Sequence, residues 1–456
     1  MKRVEMKLTA FKGGIHPAEN KITAGMPVEK MTAPKMAIFP VSQHLGAPAK
    51  PVVKIGDRVL RGQIIAEPGG FVSVPIHSSI SGEVVAIGEF PHPLGLTMTA
   101  IVVENDGLDE EIGYEELDPA GLDADAIKKR ILAGGVVGLG GATFPTHVKL
   151  SPPKEKKIDT VILNGAECEP FLTADHRLML EQGDRILSGL LIIMRALGVE
   201  RGFVGIENNK PDAIASLQEL AKKHKNIEVA GLKVHYPQGA EKQLIKTLVN
   251  REVPPGGLPM DVGCVVQNVG TAAAVYDAVA LGKPIMDRIV TVSGPAVKDP
   301  KNVLVRLGTP FFEVIEYCGG LSEDTAKVVM GGPMMGIAQY TLNVPVIKST
   351  SGILAFTKTD VDENAPRACI RCGKCVNACP MGLMPNELVK AIDNKDWELA
   401  EKLNVLSCIE CGSCSFSCIG RRPIIQLLKY GKAETAKFKR NREEAEKSKA
   451  EQAGKK

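Results

Sequence analysis

A chain of 456 residues with 44% hydrophobic and 24% charged residues holds enough apolar material for several packed domains, which excludes wholesale disorder. Aromatic residues make up 4%, with Trp397 the single tryptophan, so a nucleic-acid surface built on base stacking is excluded. The formal charge of +3 is uneven, because residues 432–456 carry nine Lys/Arg against five Asp/Glu, leaving a near-neutral body and a basic tail expected to be a solvated helix or a disordered end.

The opening MKRVEMKLTAFKGGIHP has no apolar core of a signal peptide, and apolar stretches such as Leu190–Met194 are broken by charge well short of a membrane span. The expectation is a soluble cytosolic protein that reaches a membrane only through a partner. In a reducing compartment, eleven cysteines read as metal ligands rather than disulfides.

In chain order, residues 1–35 read as an irregular leader. Residues 36–105 read as short strands punctuated by Gly and Pro, at Val52–Ile55, Val59, Ile64–Ala66, Val72–Ile76, Gly82–Ile87 and Ala100–Glu104. The stretch VKIGDRVLRGQIIAEPGGFVSVPIHSSISGEVVAIG resembles the biotinyl/lipoyl barrel-sandwich, but lacks the hairpin lysine that carries a cofactor there. It is therefore expected to be a structural or docking module. Residues 115–285 switch to alternating strands and helices: strands at Asp159–Leu163, Gly202–Ile206 and Val229–His235, helices at 124–132, 183–198, 211–224 and 239–250. That alternation predicts a Rossmann-like parallel sheet covered by helices. Residues 286–345 return to short strands (Ile289–Ser293, Val303–Val305, Val328–Met330) around a helix at 310–317, as in a β-grasp, SLBB-like domain. A linker is expected at 346–365, a Cys-rich region at 362–430 and the charged tail at 431–456.

The Cys-rich region repeats a ligand set. CIRCGKCVNACP places Cys369, Cys372, Cys375 and Cys379 at x2, x2, x3 spacing, and CIECGSCSFSCIG places Cys408, Cys411, Cys414 and Cys418 thirty-nine positions later with the same spacing. A cubane [4Fe–4S] cluster needs four converging thiolates. Three come from one tight loop, curled at Gly373 or Gly412, and the fourth from elsewhere. Zinc sites favour paired CxxC knuckles instead. In two-cluster ferredoxins the last Cys of each run serves the other cluster, which assigns Cys369, Cys372, Cys375 and Cys418 to one cluster and Cys408, Cys411, Cys414 and Cys379 to the other. Short helices at 386–393 and 396–404, capped by Asn386 and Asn394, predict a helical ferredoxin fold. Ile419 stands where a Pro is usual after the second run.

GGVVGLGGATFPTHVKL is the second constellation. Its glycines Gly134, Gly135, Gly138, Gly140 and Gly141 precede Pro145 at an expected helix start, and its amides could face a phosphate with Lys149 as counter-charge. The spacing is not the dinucleotide fingerprint, and a tight helix connection is the competing reading. VILNGAECEP places Asn164, Glu167 and Glu169 after a strand, where α/β sheets bind ligands, and VVQNVGTAAAV places Asn268 at another strand end. Cys168, Cys264, Cys318 and the Met334–Met335 pair read as packing residues, and no protein nucleophile is expected.

Together these pieces resemble the flavoprotein subunit of respiratory complex I. The resemblance implies non-covalent FMN held by Gly138, Gly140, Lys149, Asn164, Glu167 and Asn268, with Tyr236, Gly239 and Glu241 near it. It implies NADH as substrate, contacted by Phe144, Glu169 and Glu241. Two departures stand out: Leu139 replaces an Arg near the phosphate, and Thr143 replaces a Gly where the nicotinamide nucleotide approaches. Over residues 8–425, from FKGGIHPAENK to both cysteine runs, the chain resembles still more the NADH-oxidising subunits of Rnf electron-transport complexes. That implies a peripheral subunit on the cytoplasmic side of the bacterial inner membrane, held by RnfA, RnfB, RnfD, RnfE and RnfG and coupled indirectly to ferredoxin. Cobalamin reductases of bacterial microcompartments look similar in architecture, and a non-catalytic electron-wiring adaptor is a third reading. In the leading reading a hydride passes from NADH to FMN, and single electrons pass through two [4Fe–4S] clusters to partners.

Overall fold

The computed structural model describes residues 9–361 and 364–454. The chain divides into two compact units, one of Ala18–Val234 with Pro259–Asp362, the other of Met1–Pro17, His235–Leu258 and Glu363–Lys456.

In the larger unit the leader is not wholly irregular, because β1 (Val28–Lys30) is a strand. There follow β2 (Met36–Pro40), β3 (Lys50–Pro51), β4 (Arg58–Val59), β5 (Ile64–Glu67), β6 (Ile76–His77), β7 (Gly82–Pro91) and β8 (Thr97–Asn105). One antiparallel sheet has the order β2-β8-β7-β4 and a second the order β3-β5-β6. Phe39, Ile65, Ile76, Ile80 and Ile101 are buried in their core, as a barrel-sandwich requires. The strand expected at Val52–Ile55 is a loop, and of the one expected at Val72–Ile76 only Ile76 lies in a strand. Val52 and Ile55 are exposed, so no alternation buries that stretch.

The α/β segment contains α1 (Ala124–Ala133), α2 (Thr146–Lys149), β9 (Thr160–Gly165), α3 (Ala174–Glu181), α4 (Gly183–Leu197), β10 (Gly202–Glu207), α5 (Pro211–Ala221) and β11 (Ile227–Leu232). After α6 (Glu241–Val249), which belongs to the smaller unit, come β12 (Cys264–Asn268) and α7 (Val269–Ala280). All pairings are parallel, in the order β11-β10-β9-β12. The chain leaves β9 in one direction and returns on its other side, so β9 and β12 flank a topological switch point, where such sheets bind ligands outside the strands' carboxyl ends.

Helices α4 and α7 pack at Gly189. A Cβ there would lie 1.8 Å from the carbonyl oxygen of Ala272. Gly189→Ala must push the two backbones apart, and overpacking of this kind costs about 1–3 kcal/mol. Thermal unfolding of the Gly189→Ala chain is expected several degrees below the native value, and an unchanged midpoint would contradict this packing.

The third part of the unit contains β13 (Asp287–Ser293), β14 (Lys301–Arg306), α8 (Phe311–Tyr317), β15 (Thr325–Met330), β16 (Ile337–Ala338) and β17 (Gly352–Thr357). The mixed sheet has the order β1-β14-β13-β17-β15-β16. The expected linker at 346–365 is thereby corrected. GILAFT is a central, buried strand, and Val346, Ile347 and Lys348 are buried before it. Six residues without turn residues or clear alternation look like a spacer in sequence, yet a strand covered on both faces needs no alternation.

The smaller unit holds α9 (Lys374–Asn377), α10 (Pro385–Asp393), α11 (Trp397–Lys402), α12 (Ser413–Phe416) and α13 (Ile424–Gly454). Leu388, Val389, Ile392, Ala400, Val405 and Leu428 form its core. The caps differ from expectation. Met384 precedes α10, which begins at Pro385, and the carboxylate of Asp396 accepts from Leu399 N at 3.0 Å to cap α11. Proline at the first helical position and an Asp three residues before an amide displace Asn386 and Asn394. The described part of the basic tail continues α13. Among the described residues no helix is long and apolar enough to cross a membrane.

Candidate functional site

The glycine-rich loop is closed on itself. Gly138 N donates to Phe144 O at 2.9 Å, and Thr143 N donates to Gly138 O at 3.1 Å. Gly140 and Gly141 lie exposed at its tip, with Gly141 at φ +117° and nothing near its missing side chain. The loop is fastened from below, because Leu139 N donates to Thr271 Oγ1 on the first turn of α7 at 2.8 Å. The two departures from the complex I pattern lie in this loop. Thr143 is buried, at φ +47°. Leu139 is buried too, and the buried guanidinium of Arg288 donates to Leu139 O at 3.1 Å.

Asn164 is the penultimate residue of β9 and Asn268 ends β12, and the two are register partners across the switch point. Asn268 Oδ1 accepts from Gly270 N at 2.7 Å and so caps α7, while its Nδ2 donates to Asp175 Oδ2 at 2.6 Å. A Cβ on Gly140 would lie 3.3 Å from Asn268 Cβ, so a larger residue there would press on Asn268. Glu167 is held at φ +45°, and its carboxylate accepts from Asp175 N at 2.7 Å and His176 N at 3.2 Å at the start of α3. Burial, then the neighbouring charge of Glu167, pushes the Asp175 carboxyl well above the usual range. Gly140, Asn164, Glu167 and Asn268 are therefore gathered near the carboxyl ends of β9 and β12. Gly138 and Phe144 close the loop above α7, and Lys149 ends the short α2 that follows it.

Glu169 is anchored by the GGPMMG loop. Its carboxylate accepts from Met334 N at 3.0 Å and Met335 N at 2.9 Å. A Cβ on Gly332 would meet that carboxylate at 2.2 Å, so the GGPMMG loop is a built cradle for Glu169. Glu241 starts α6 in the smaller unit, together with Tyr236 and Gly239.

Three important residues carried no readable signal. Lys21 Nζ donates to the carbonyls of Glu167, Glu169 and Leu172 at 2.8, 3.1 and 2.7 Å. Buried Lys210 donates to Ala166 O at 2.7 Å, and burial lowers its pKa to about 8. These two ammonium groups pin the Asn164–Leu172 turn to fixed carbonyls, and Asp175 braces Asn268. Lysine-to-carbonyl bonds have no sequence spacing; only the position of Lys21 inside FKGGIHPAENK hinted at a role.

In the smaller unit the two cysteine loops share one backbone. Arg371 and Gly373 have φ of +57° and +75°, matched by Glu410 and Gly412 at +60° and +79°, and each loop enters a short helix. One cavity is lined by Cys369, Cys372, Cys375 and Cys418. Cys379 instead interacts electrostatically with Cys408, Cys411 and Cys414. Burial pushes the Cys408 thiol to about 11 and the Cys414 thiol to about 12, so at neutral pH both keep their protons until a metal displaces them. Leu383 N donates to Cys379 Sγ at 3.3 Å and Glu410 N to Cys408 Sγ at 3.4 Å, the amide-to-sulfur bonds that tune a cluster. Four thiols line one cavity and the other four interact with one another, which gives the eight sulfur donors that two cubane clusters require.

A glycine loop over paired strand ends and two cysteine sets on one chain point to the class of iron–sulfur flavoproteins of electron transfer. Residues 131–277 match the family described as Nuo51 FMN-binding domain, 9–108 the RnfC barrel sandwich hybrid domain, 289–338 the SLBB domain and 362–419 the 4Fe-4S dicluster domain. The chain is 49% identical over 435 residues to the C subunit of the proton-translocating ferredoxin:NAD(+) oxidoreductase complex of Clostridium ljungdahlii, covering 94% of each. It is 47% identical to the Na(+)-translocating counterpart of Acetobacterium woodii, covering 94% of this chain and 98% of that one. It is 40% identical to the C subunit of the ion-translocating oxidoreductase complex of Rhodobacter capsulatus, covering 93% and 83%. The chain belongs to the RnfC family of these ion-translocating oxidoreductase complexes.

Proposed function

We propose that this chain is the NADH-oxidising subunit of an Rnf-type ferredoxin:NAD+ oxidoreductase complex, peripheral to the membrane on its cytoplasmic side. The observation that carries this reading is the register pair Asn164–Asn268 beneath the exposed glycine loop, on the same chain as eight cysteines in two gathered sets. With no membrane-crossing helix among the described residues, ion passage falls to the partner subunits.

Gly138, Gly140, Lys149, Asn164, Glu167 and Asn268 would hold FMN. The amides at the exposed tip, those of Gly140 and Gly141, and Lys149 would receive its phosphate, and the asparagines and Glu167 would fix its place at the strand ends. Bound FMN supplies the conversion of a hydride into single electrons. Phe144 and Glu169 would face the nicotinamide nucleotide, with the Glu169 carboxylate held by the amides of Met334 and Met335. Cys369, Cys372, Cys375 and Cys418 would hold one cluster and Cys408, Cys411, Cys414 and Cys379 the other.

Anaerobic reconstitution should yield about eight iron atoms, four per cluster, with stoichiometric FMN that bleaches on NADH addition. Intact clusters without flavin binding would overturn the dehydrogenase reading and favour an adaptor. Loss of the Lys149 charge removes a charge-assisted contact of about 1.5–3 kcal/mol, so Lys149→Ala is expected to weaken FMN binding about tenfold or more with its iron unchanged. Equal retention of both by ultrafiltration would place the phosphate elsewhere.

A further inference from the structure

The two cysteine sets sit in opposite surroundings. The set containing Cys379 is enclosed. Gly13 packs so closely on Cys379 that a Cβ there would lie 2.5 Å from its carbonyl oxygen, and Gly14 N donates to Ala378 O at 2.9 Å. Tyr236 Oη donates to Cys411 O at 2.7 Å, and Lys432 Nζ donates to Cys408 O at 2.7 Å. Cys411 and Cys414 are buried.

The other set opens to solvent. Cys369 and Cys372 are exposed, and so are the apolar side chains beside them, Ile370 at 67% and Ile419 at 51%. Ile419 stands at the position where two-cluster ferredoxins usually place a Pro. Around this opening the segments 367–374 and 419–422 contribute Arg367, Arg371, Lys374, Arg421 and Arg422 and no acidic residue. Arg422 pairs with Asp393 at 3.2 Å. Among the described residues no carboxylate lines the cavity.

We infer that electrons leave this chain from the cluster of Cys369, Cys372, Cys375 and Cys418, across a basic face that docks an acidic one-electron carrier protein. This rests on the NADH reading for its electron source. An exposed apolar centre ringed by one sign of charge is the arrangement that steers an oppositely charged carrier and then excludes water at the contact. The step balances simply: the reduced cluster loses one electron, the carrier gains it, and each NADH supplies two such transfers while releasing NAD+ and one proton.

The reconstituted full chain tests this with two protein probes, cytochrome b5, whose haem edge is acidic, and cytochrome c, whose haem edge is basic. Without NADH, oxidised cytochrome b5 should bind in calorimetry at low salt, and Arg367→Gln/Arg371→Gln should weaken that binding about tenfold. With NADH, its reduction should fall about tenfold between low and physiological salt, while ferricyanide reduction and iron content stay the same in the variant. Because the salt series uses the native protein, it holds even if the double variant folds poorly. Binding and reduction of cytochrome b5 indifferent to both salt and substitution, or a preference for cytochrome c, would overturn the inference. Arginine-dependent binding without any NADH-driven ferricyanide reduction would refute the NADH reading and leave the docking face supported.

Discussion

Replacing Cys375 and Cys418 together by serine is expected to remove about four iron atoms, whereas replacing Cys375 and Cys379 together is expected to remove about eight. Each double variant deletes two of the eight ligands, so ligand count alone predicts no difference. Geometry does. Cys418 lines the same cavity as Cys369, Cys372 and Cys375, although 43 positions separate it from Cys375. Cys375 feels the charge of Cys418, and Cys379 that of Cys411. In the proposed assignment Cys375 and Cys418 therefore share one cluster, whereas Cys375 and Cys379 straddle both. Iron and sulfide analysis after anaerobic reconstitution reads the outcome directly. The reverse pattern, with the straddling pair losing only half the iron, would mean that each run holds its own cluster.

The folded chain is expected to gain stability relative to Lys348→Met as pH rises from about 7 to 10.5, by at most about 5 kcal/mol. Lys348 is buried, and its amine donates to Gly135 O at 2.8 Å and Pro75 O at 3.2 Å. It ties the barrel-sandwich, the glycine-loop segment and the β-grasp segment at one point. Two carbonyls suit the two N–H donors of a neutral amine, and burial lowers the pKa from 10.5 to about 7. Between these values the unfolded chain binds one proton more than the folded one, so native stability climbs with pH. Below about 7 both states are protonated and the dependence ends. Methionine cannot titrate, so the variant should lack this rise, although it leaves the two carbonyls unpaired at every pH. The difference in unfolding midpoint between the two proteins across pH 7–10 measures it, and parallel pH profiles would contradict a neutral buried amine.

Much of this architecture was legible because it rests on local pattern. The run Val161–Leu163 with Asn164 behind it marked a strand whose end binds, and VVQN before a small-residue helix marked its neighbour; parallel register then placed Asn164 opposite Asn268. The cysteine spacing was equally local. What escaped was long-range. Lys21 and the turn it holds are about 150 residues apart, and Glu169 meets the amides of Met334 and Met335 across a similar distance. No periodicity encodes such a contact. Met334 and Met335, read as packing, act through their backbone. GILAFT was lost for the opposite reason: a central strand buried on both faces has no alternation to betray it.

The partition of the chain differs from its partition into inherited sequence blocks. The polypeptide passes between the two compact units at Pro17, Val234, Leu258 and Asp362, so the smaller unit is assembled from three separated stretches. The block matched as a dicluster domain begins at residue 362 and therefore omits Gly13, Tyr236 and Gln243, which lie against Cys379, Cys411 and Pro380. An excised ferredoxin fragment would have one of its two centres stripped of its cover. The practical consequence is for dissection and grafting: this ferredoxin cannot be lifted out as a cassette, and any chimera that exchanges it must carry the N-terminal loop and the segment around α6 along with it.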